Sequence, residues 1–311
     1  MNLVKASLLK LLSALLFAFL SALVRYAGEA QVPLGQVVFF RSAFAILPVV
    51  LIYAWRRELA AAVRTRRPFG HVGRGLISVA GMFLNFAALA RLPLVDATAI
   101  SFAAPLMTVA FAALFLGERV RVYRWSAVAV GFVGVVVMLW PYLNLTQYAV
   151  GGSASAAATV GALCALLATV TNAASVIQTR RLTETETTSS IVFYFSLICA
   201  IAGLATLPFG WVWPSAPVLA ALVTAGIAGG LAHIVQTESY RYAPASLVAP
   251  IDYTTMIWAF LLGYVLFGEL PTIYIFVGGA IVTASGIFVI WRERQLGLRR
   301  ERESEGQANV T

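Results

Sequence analysis

The sequence predicts an all-α polytopic membrane protein of ten transmembrane helices arranged as two inverted five-helix repeats, and three observations carry that prediction. First, 60% of the 311 residues are hydrophobic and only 11% are charged, against about 45 to 50% and about 25% in soluble domains. The 22 Lys and Arg with 13 Asp and Glu are too few to cover two water-facing domains, so the solvent is lipid. Second, apolar runs of about 20 residues, long enough to cross a hydrocarbon core of roughly 30 Å, recur along the chain. Third, the second half of the chain repeats the first.

Spans are expected at residues 8–27, 34–55, 74–91, 95–117, 123–142, 156–179, 189–209, 216–239, 245–268 and 271–291. Helices are forced, because an open sheet edge cannot satisfy its backbone in lipid and these runs are twice the length of a barrel strand. The first span, with Lys5 and Lys10 around its start and Ala27 and Gly28 at its end, has the outline of a secretory signal. Its apolar run exceeds a usual signal core, and it has a counterpart in the second half, so a retained helix is expected. Turn prolines precede the fourth span (Pro93) and the ninth (Pro244), and Pro250 early in the ninth removes a helical donor and can open the local ladder to a cavity. Trp55, Trp140, Tyr142, Trp211, Trp213 and Trp291 lie near span ends, as interface anchors do. Beyond Trp291 the chain turns polar, and residues 292–311 are expected to be a solvated, disordered cytoplasmic tail. Cys164 and Cys199 both fall inside spans and support neither a disulfide framework nor a metal site.

The net charge of +9 is explained by orientation. With the N-terminus inside, 19 of the 22 basic residues fall on the inner face: Lys5, Lys10, Arg56, Arg57, Arg64, Arg66, Arg67, Arg74, Arg119, Arg121, Arg124, Arg180, Arg181, Arg241, Arg292, Arg294, Arg299, Arg300 and Arg302. The outer face keeps Arg25 and Arg91, and Arg41 lies within a span. The positive-inside rule then places both termini in the cytoplasm, and the inner (plasma) membrane is the expected location. No nucleic-acid partner is implied.

The repeat is visible by register. A shift of 151 residues sets Ala14-Leu15-Leu16 on Ala165-Leu166-Leu167, Gly75 on Gly226, Pro93 on Pro244, and Gly117-Glu118 on Gly268-Glu269. A shift of 154 sets Val38-Phe39-Phe40 on Val192-Phe193-Tyr194 and Ser42 on Ser196. The repeats occupy residues 8–142 and 156–291 with five spans each, and because five is odd the second enters the bilayer upside down. Such a plan places a site near the midplane between halves that rock against each other. Ala14-xxx-Ala18-xxx-Ala22 and Gly226-xxx-Gly230 put small residues on one helix face for close packing. Glu118 and Glu269 fall at helix ends, where each is expected to cap or bridge a neighbouring connection.

Each half also carries, after its turn proline, a span ending in an apolar-Gly-Glu triplet (Leu116-Gly117-Glu118 and Phe267-Gly268-Glu269), then a span containing glycines (Gly131 and Gly134; Gly278, Gly279 and Gly286). Together with the duplication, these residues resemble the EamA family of the drug/metabolite transporter superfamily, over about residues 8–291. The resemblance implies ten helices in two inverted repeats and a carrier of small organic metabolites working by alternating access. Amino acid export, as in YddG-type exporters, is the leading expectation. Riboflavin, drugs or another metabolite, or a lipid-linked substrate in a flippase, are the alternatives.

Polar groups inside spans are costly and point to function. Arg41 lies about 10 Å in from the outer side, in the same leaflet as Asn85 and Asp96. It either pairs with Asp96, reaches the outer interface, or offers its fork to a substrate carboxylate. On the inner side His233 and Asp252 lie at about equal depth, near 10 to 12 Å, with Gln236 and Tyr253 beside them. They either line the path, contacting a substrate amine or exchanging a proton, or form an interhelical hydrogen bond. Asn172 could bond a ligand or a neighbouring helix. The resemblance places Phe83, Phe102, Tyr253 and Trp258 around the central cavity. No catalytic residue, metal ligand or cofactor is expected. Lys5 and Lys10 lack the glycines of a nucleotide loop, His71 and His233 are 162 positions apart, and no G-x-S-x-G elbow occurs. The expected partners are the bilayer and a small-molecule substrate, with the protein a monomer.

Overall fold

The computed structural model describes residues 3–57, 63–115, 122–142, 153–183, 185–242, 251–252 and 254–308. The described residues are helical, without a strand. In chain order the helices are α1 (Leu3–Glu29), α2 (Leu34–Trp55), α3 (Pro68–Leu89), α4 (Leu94–Ser101), α5 (Ala104–Phe115), α6 (Val122–Leu139), α7 (Ser153–Thr183), α8 (Thr188–Leu204), α9 (Ala216–Tyr242), α10 (Thr254–Phe267) and α11 (Ile273–Ala308). Among the described residues seven helices are long and apolar enough to cross a membrane, and Leu94–Thr108, Thr254–Phe267 and Ile273–Val289 form shorter apolar stretches. This is a multi-pass membrane protein.

The boundaries have local causes. Pro33 and Pro93 stand immediately before α2 and α4, and Pro68 opens α3, positions where a missing N–H costs nothing. The Thr187 hydroxyl accepts from the Ser190 N–H at 3.2 Å and caps α8. Gly268, at φ +64°, ends α10, and the Glu269 N–H closes back on the Gly263 carbonyl at 3.1 Å. An αL glycine supplies this kind of terminus without a Cβ penalty.

Three expectations are corrected. The fourth span is two helices, α4 and α5, because Pro105 has no N–H to offer the Ser101 carbonyl. The Phe102 and Ala103 amides bond instead to Ala99 and Ile100. The third span begins at Pro68 rather than residue 74, which places His71 and Arg74 inside α3. The tail drawn as disordered continues α11 to Ala308, since its Arg, Glu, Gln and Leu are good helix formers propagating from a helix already nucleated. The start of the ninth span, with Pro244 and Pro250, and the Leu116-Gly117-Glu118 triplet lie outside the described residues.

The main helix interfaces keep their pairing when the halves are exchanged. α1 packs on α9 as α7 packs on α3; α9 packs on α2 as α3 packs on α8; α1 touches α10 as α7 touches α4 and α5. The helix pairs α2 with α8 and α6 with α11 map onto themselves. Glycines hold equivalent seams. A Cβ on Gly75 would come within 2.6 Å of Ile198, and one on Gly226 within 2.5 Å of Phe44. These contacts are related by the 151- and 154-residue registers. Where α6 meets α11, a Cβ on Gly134 would lie 2.8 Å from the Gly278 carbonyl, and one on Gly278 lies 2.5 Å from that of Gly134. In lipid, where apolar burial does not drive helices together, such close backbone approach does. Ala14, Ala18 and Ala22, each at 1% exposure, form the buried stripe of α1.

The polar side chains of α1 reach into the second half. Lys5 donates to the Tyr242 hydroxyl at 2.9 Å, Lys10 pairs with Asp252 at 2.8 Å, Ser13 donates to the Ala232 carbonyl at 3.3 Å, and Arg25 pairs with Glu269 at 2.8 Å. Residues that the sequence marks as orientation signals (Lys5, Lys10) or outer-face charge (Arg25) thus also tie the halves together.

Candidate functional site

A cavity of about 340 Å³ lies between the halves, lined from α1, α2, α3, α4, α5, α7, α8 and α9, within the range of small-molecule sites. Its cations are Arg41 on α2 and Arg74 on α3. Arg41 is 6% exposed, and its Nη2 lies 3.3 Å from His233 Nε2. A guanidinium can only donate, so Nε2 is the acceptor and His233 is neutral with its proton on Nδ1. The Arg41 Nε and Nη1 donors are buried with no hydrogen-bond partner among the described residues.

Arg74 is tied down. Its Nε donates to Thr179 Oγ1 at 2.6 Å and its Nη1 to the Ile191 carbonyl at 3.0 Å, joining α3 to α7 and α8. Nearby, the Ser78 and Ser175 hydroxyls are 2.7 Å apart. Both cations lie near Phe195, with Arg41 Cζ 5.6 Å and Arg74 Cζ 5.2 Å from its ring centre. His233 meets the rings of Phe17 and Phe195 edge-on, at 5.0 and 6.1 Å. Asn85 and Asn172 add neutral amides to the wall.

Of the candidates read from the sequence, the cavity brings together Arg41, Asn85, Asn172 and His233. The expected Arg41–Asp96 pair is replaced: Asp96 accepts from the Tyr142 hydroxyl. The expected partner of His233 is corrected in the same way, since Asp252 pairs with Lys10 and His233 with Arg41. Gln236 lies on α9, where its carbonyl accepts from Ser239. Phe83 and Phe102 pack against the main apolar core. Trp258 lies on α10 with a buried Nε1 that has no partner among the described residues. None of these last four is among the cavity's lining residues, and Tyr253 lies outside the described residues.

The sequence reading missed Arg74 and Phe195. Arg74 looked like a loop charge because the span was begun at it; Pro68 was the available signal, a proline at the first helical position. Phe195 is where the 154-residue register places the counterpart of Arg41, so the pair was legible as one position filled differently in each half.

A second cluster joins the connections flanking α3 and α8. Glu186 Oε1 accepts from the Arg66 amide at 2.7 Å, the Arg67 amide at 2.9 Å and the Thr65 hydroxyl at 3.0 Å. His71 Nε2 is 3.5 Å from Oε2, with both side chains 2% exposed. Burial favours the neutral acid, but these donors prevail and hold the Glu186 carboxyl below the usual carboxylate range. A lowered folded value means the stabilisation is complete above that range and is lost as pH falls through the folded value. The melting temperature of Glu186→Gln is therefore expected below wild type at pH 7, with the gap closing as a pH series goes below about 4. Parallel curves for the two proteins would count against this.

The model of the EamA-like transporter family matches residues 4–140 and 159–292. The chain is 30% identical to a riboflavin transporter of Rhizobium johnstonii, over 96% of this chain and 94% of that one. It is 29% identical to an S-adenosylmethionine uptake transporter of Rickettsia conorii, over 87% of each, and 29% identical to the pseudopaline exporter CntI of Pseudomonas aeruginosa, over 90% of this chain and 94% of that one. A crystal structure of a protein 20% identical aligns with a TM-score of 0.62 over 91% of this chain and 96% of that one, a likeness of fold.

Proposed function

The chain belongs to the EamA-like transporter family, a small-molecule membrane transporter, and on that premise we propose that it is a secondary carrier exporting amino acids across the inner membrane by alternating access. The observation that carries this reading is the central cavity, walled by both halves, which polar ties elsewhere also join across. Under it, residues 8–142 and 156–291 are the two rocking units. Both termini and the 292–311 tail are cytoplasmic, and no cofactor or catalytic step is involved. The riboflavin transporter relative supports a second cargo reading, a flavin in the same cavity.

Counterflow decides between them. Purified protein in proteoliposomes loaded with unlabelled amino acid is expected to accumulate the labelled form saturably and without chemical turnover. Exchange of riboflavin but of no amino acid would replace the first cargo by the second. Exchange of neither, or conversion of the label to product, would count against the carrier.

A further inference from the structure

We propose that the cavity is an anion site, selecting organic acids that bring a carboxylate to Arg41 against a second fixed positive charge at Arg74. The inference rests on the carrier reading and narrows its cargo to acidic amino acids and related carboxylated metabolites of net negative charge.

Three features of the wall point the same way. Arg41 is buried and lines the cavity, and its Nε and Nη1 donors have no partner among the described residues. Nη2 spends one N–H on His233 and has a second, so the Nη1–Nη2 edge can offer both oxygens of a carboxylate a parallel pair of bonds. The described lining residues include two arginines and no Asp or Glu, so a cationic cargo would meet like charge and an ammonium group would find no carboxylate to hold it. Phe195 lies within cation–π distance of both guanidinium groups, and a ring face that attracts cations in this way helps hold both positive charges at the cavity. A buried charge is tolerated when it is paired, and an anionic cargo supplies the missing partner.

The neutral groups define the rest of the fit. Asn85, Asn172, Ser78, Ser175 and Thr171 line the same cavity and can bond hydroxyl, amine or second carboxylate groups without adding charge. A net negative charge and a carboxylate are therefore what the site requires, and the remainder of the cargo is held by neutral hydrogen bonds.

The test is a melting series of the purified full-length chain against glutamate, succinate, leucine and lysine, with ionic strength balanced by sodium chloride. Glutamate or succinate is expected to raise the melting temperature saturably, with leucine and lysine inert. Arg41→Gln is expected to weaken that binding roughly 100-fold. Arg41→Lys, which keeps the charge and loses the fork, is expected to weaken it about tenfold and serves should the glutamine variant fail to fold. The proposal is overturned by stabilisation from leucine or lysine equal to that from glutamate, by anion binding unchanged in both variants, or by no shift with either anion. Counterflow separates the two levels: leucine exchange with no anion binding sinks the anion site and keeps the carrier, while anion binding without exchange of any cargo sinks the carrier and keeps the site.

Discussion

Glu269→Ala is expected to destabilise the protein by about 3 to 5 kcal/mol, the range for removing one partner of a buried ion pair. Glu269 and Arg25 are 11% and 15% exposed. Oε1 accepts from Arg25 Nε and Nη2 at 3.1 and 2.8 Å, and Oε2 accepts from the Leu94 N–H at 2.6 Å. One carboxylate therefore holds α1 and caps the first turn of α4, where backbone donors have no intrahelical partner. Truncation leaves the guanidinium with the Leu89 carbonyl at 3.3 Å and Glu29 at 3.4 Å, and leaves the Leu94 N–H unanswered.

Two companion variants apportion the loss. Glu269→Gln keeps an acceptor for Leu94 and drops the charge, so it is expected midway. Arg25→Met/Glu269→Met leaves no orphaned charge and is expected to recover most of the loss, because an apolar replacement of a whole pair is often close to neutral. Melting in detergent checks the set. A Glu269→Ala protein within about 0.5 kcal/mol of wild type, the range of ordinary surface changes, would mean the cluster holds nothing together.

This cluster also shows what was legible in the sequence and what was not. That Glu269 caps or bridges followed from its place after a glycine at a helix end, a local signal borne by Gly268 at φ +64°. The spans and the repeat were legible for the same reason: hydropathy and register are properties of contiguous residues, and the 151- and 154-residue shifts relate the contacts at Gly75 and Gly226 to one another. The identity of partners was not. Arg25 and Glu269 are 244 positions apart, and pairing between spans depends on each helix's rotation about its axis and on crossing angles that hydropathy does not encode. His233 and Asp252 were placed at equal depth, yet depth fixes height and leaves azimuth open. Asp252 turned to Lys10 on α1 and His233 to Arg41 on α2. Arg74 was misplaced for a different reason: charge was taken as a sign of the interface, whereas Thr179 and the Ile191 carbonyl satisfy that guanidinium inside the bundle.

Arg41→Met/His233→Leu is expected to abolish carboxylate binding and at the same time to raise the stability of the cargo-free protein by about 1 to 3 kcal/mol. Moving an ion out of water costs several kcal/mol even after relaxation. Against that, Arg41 recovers one hydrogen bond to His233, about 0.5 to 3 kcal/mol, and a contact with the Phe195 ring, about 0.5 to 2 kcal/mol. Met keeps an unbranched apolar stem at the wall of the cavity that Arg41 lines. The second substitution matters to the sign. In Arg41→Met alone the His233 Nε2 loses its donor, at a cost of about 1 to 3 kcal/mol for an unsatisfied buried group, which offsets most of the gain. Opposite movements in stability and binding are what a site strained for its ligand gives; an arginine kept to hold α2 against α9 would lower both. A double variant that melts below wild type without cargo would therefore assign Arg41 to helix packing and remove the energetic basis of the anion site.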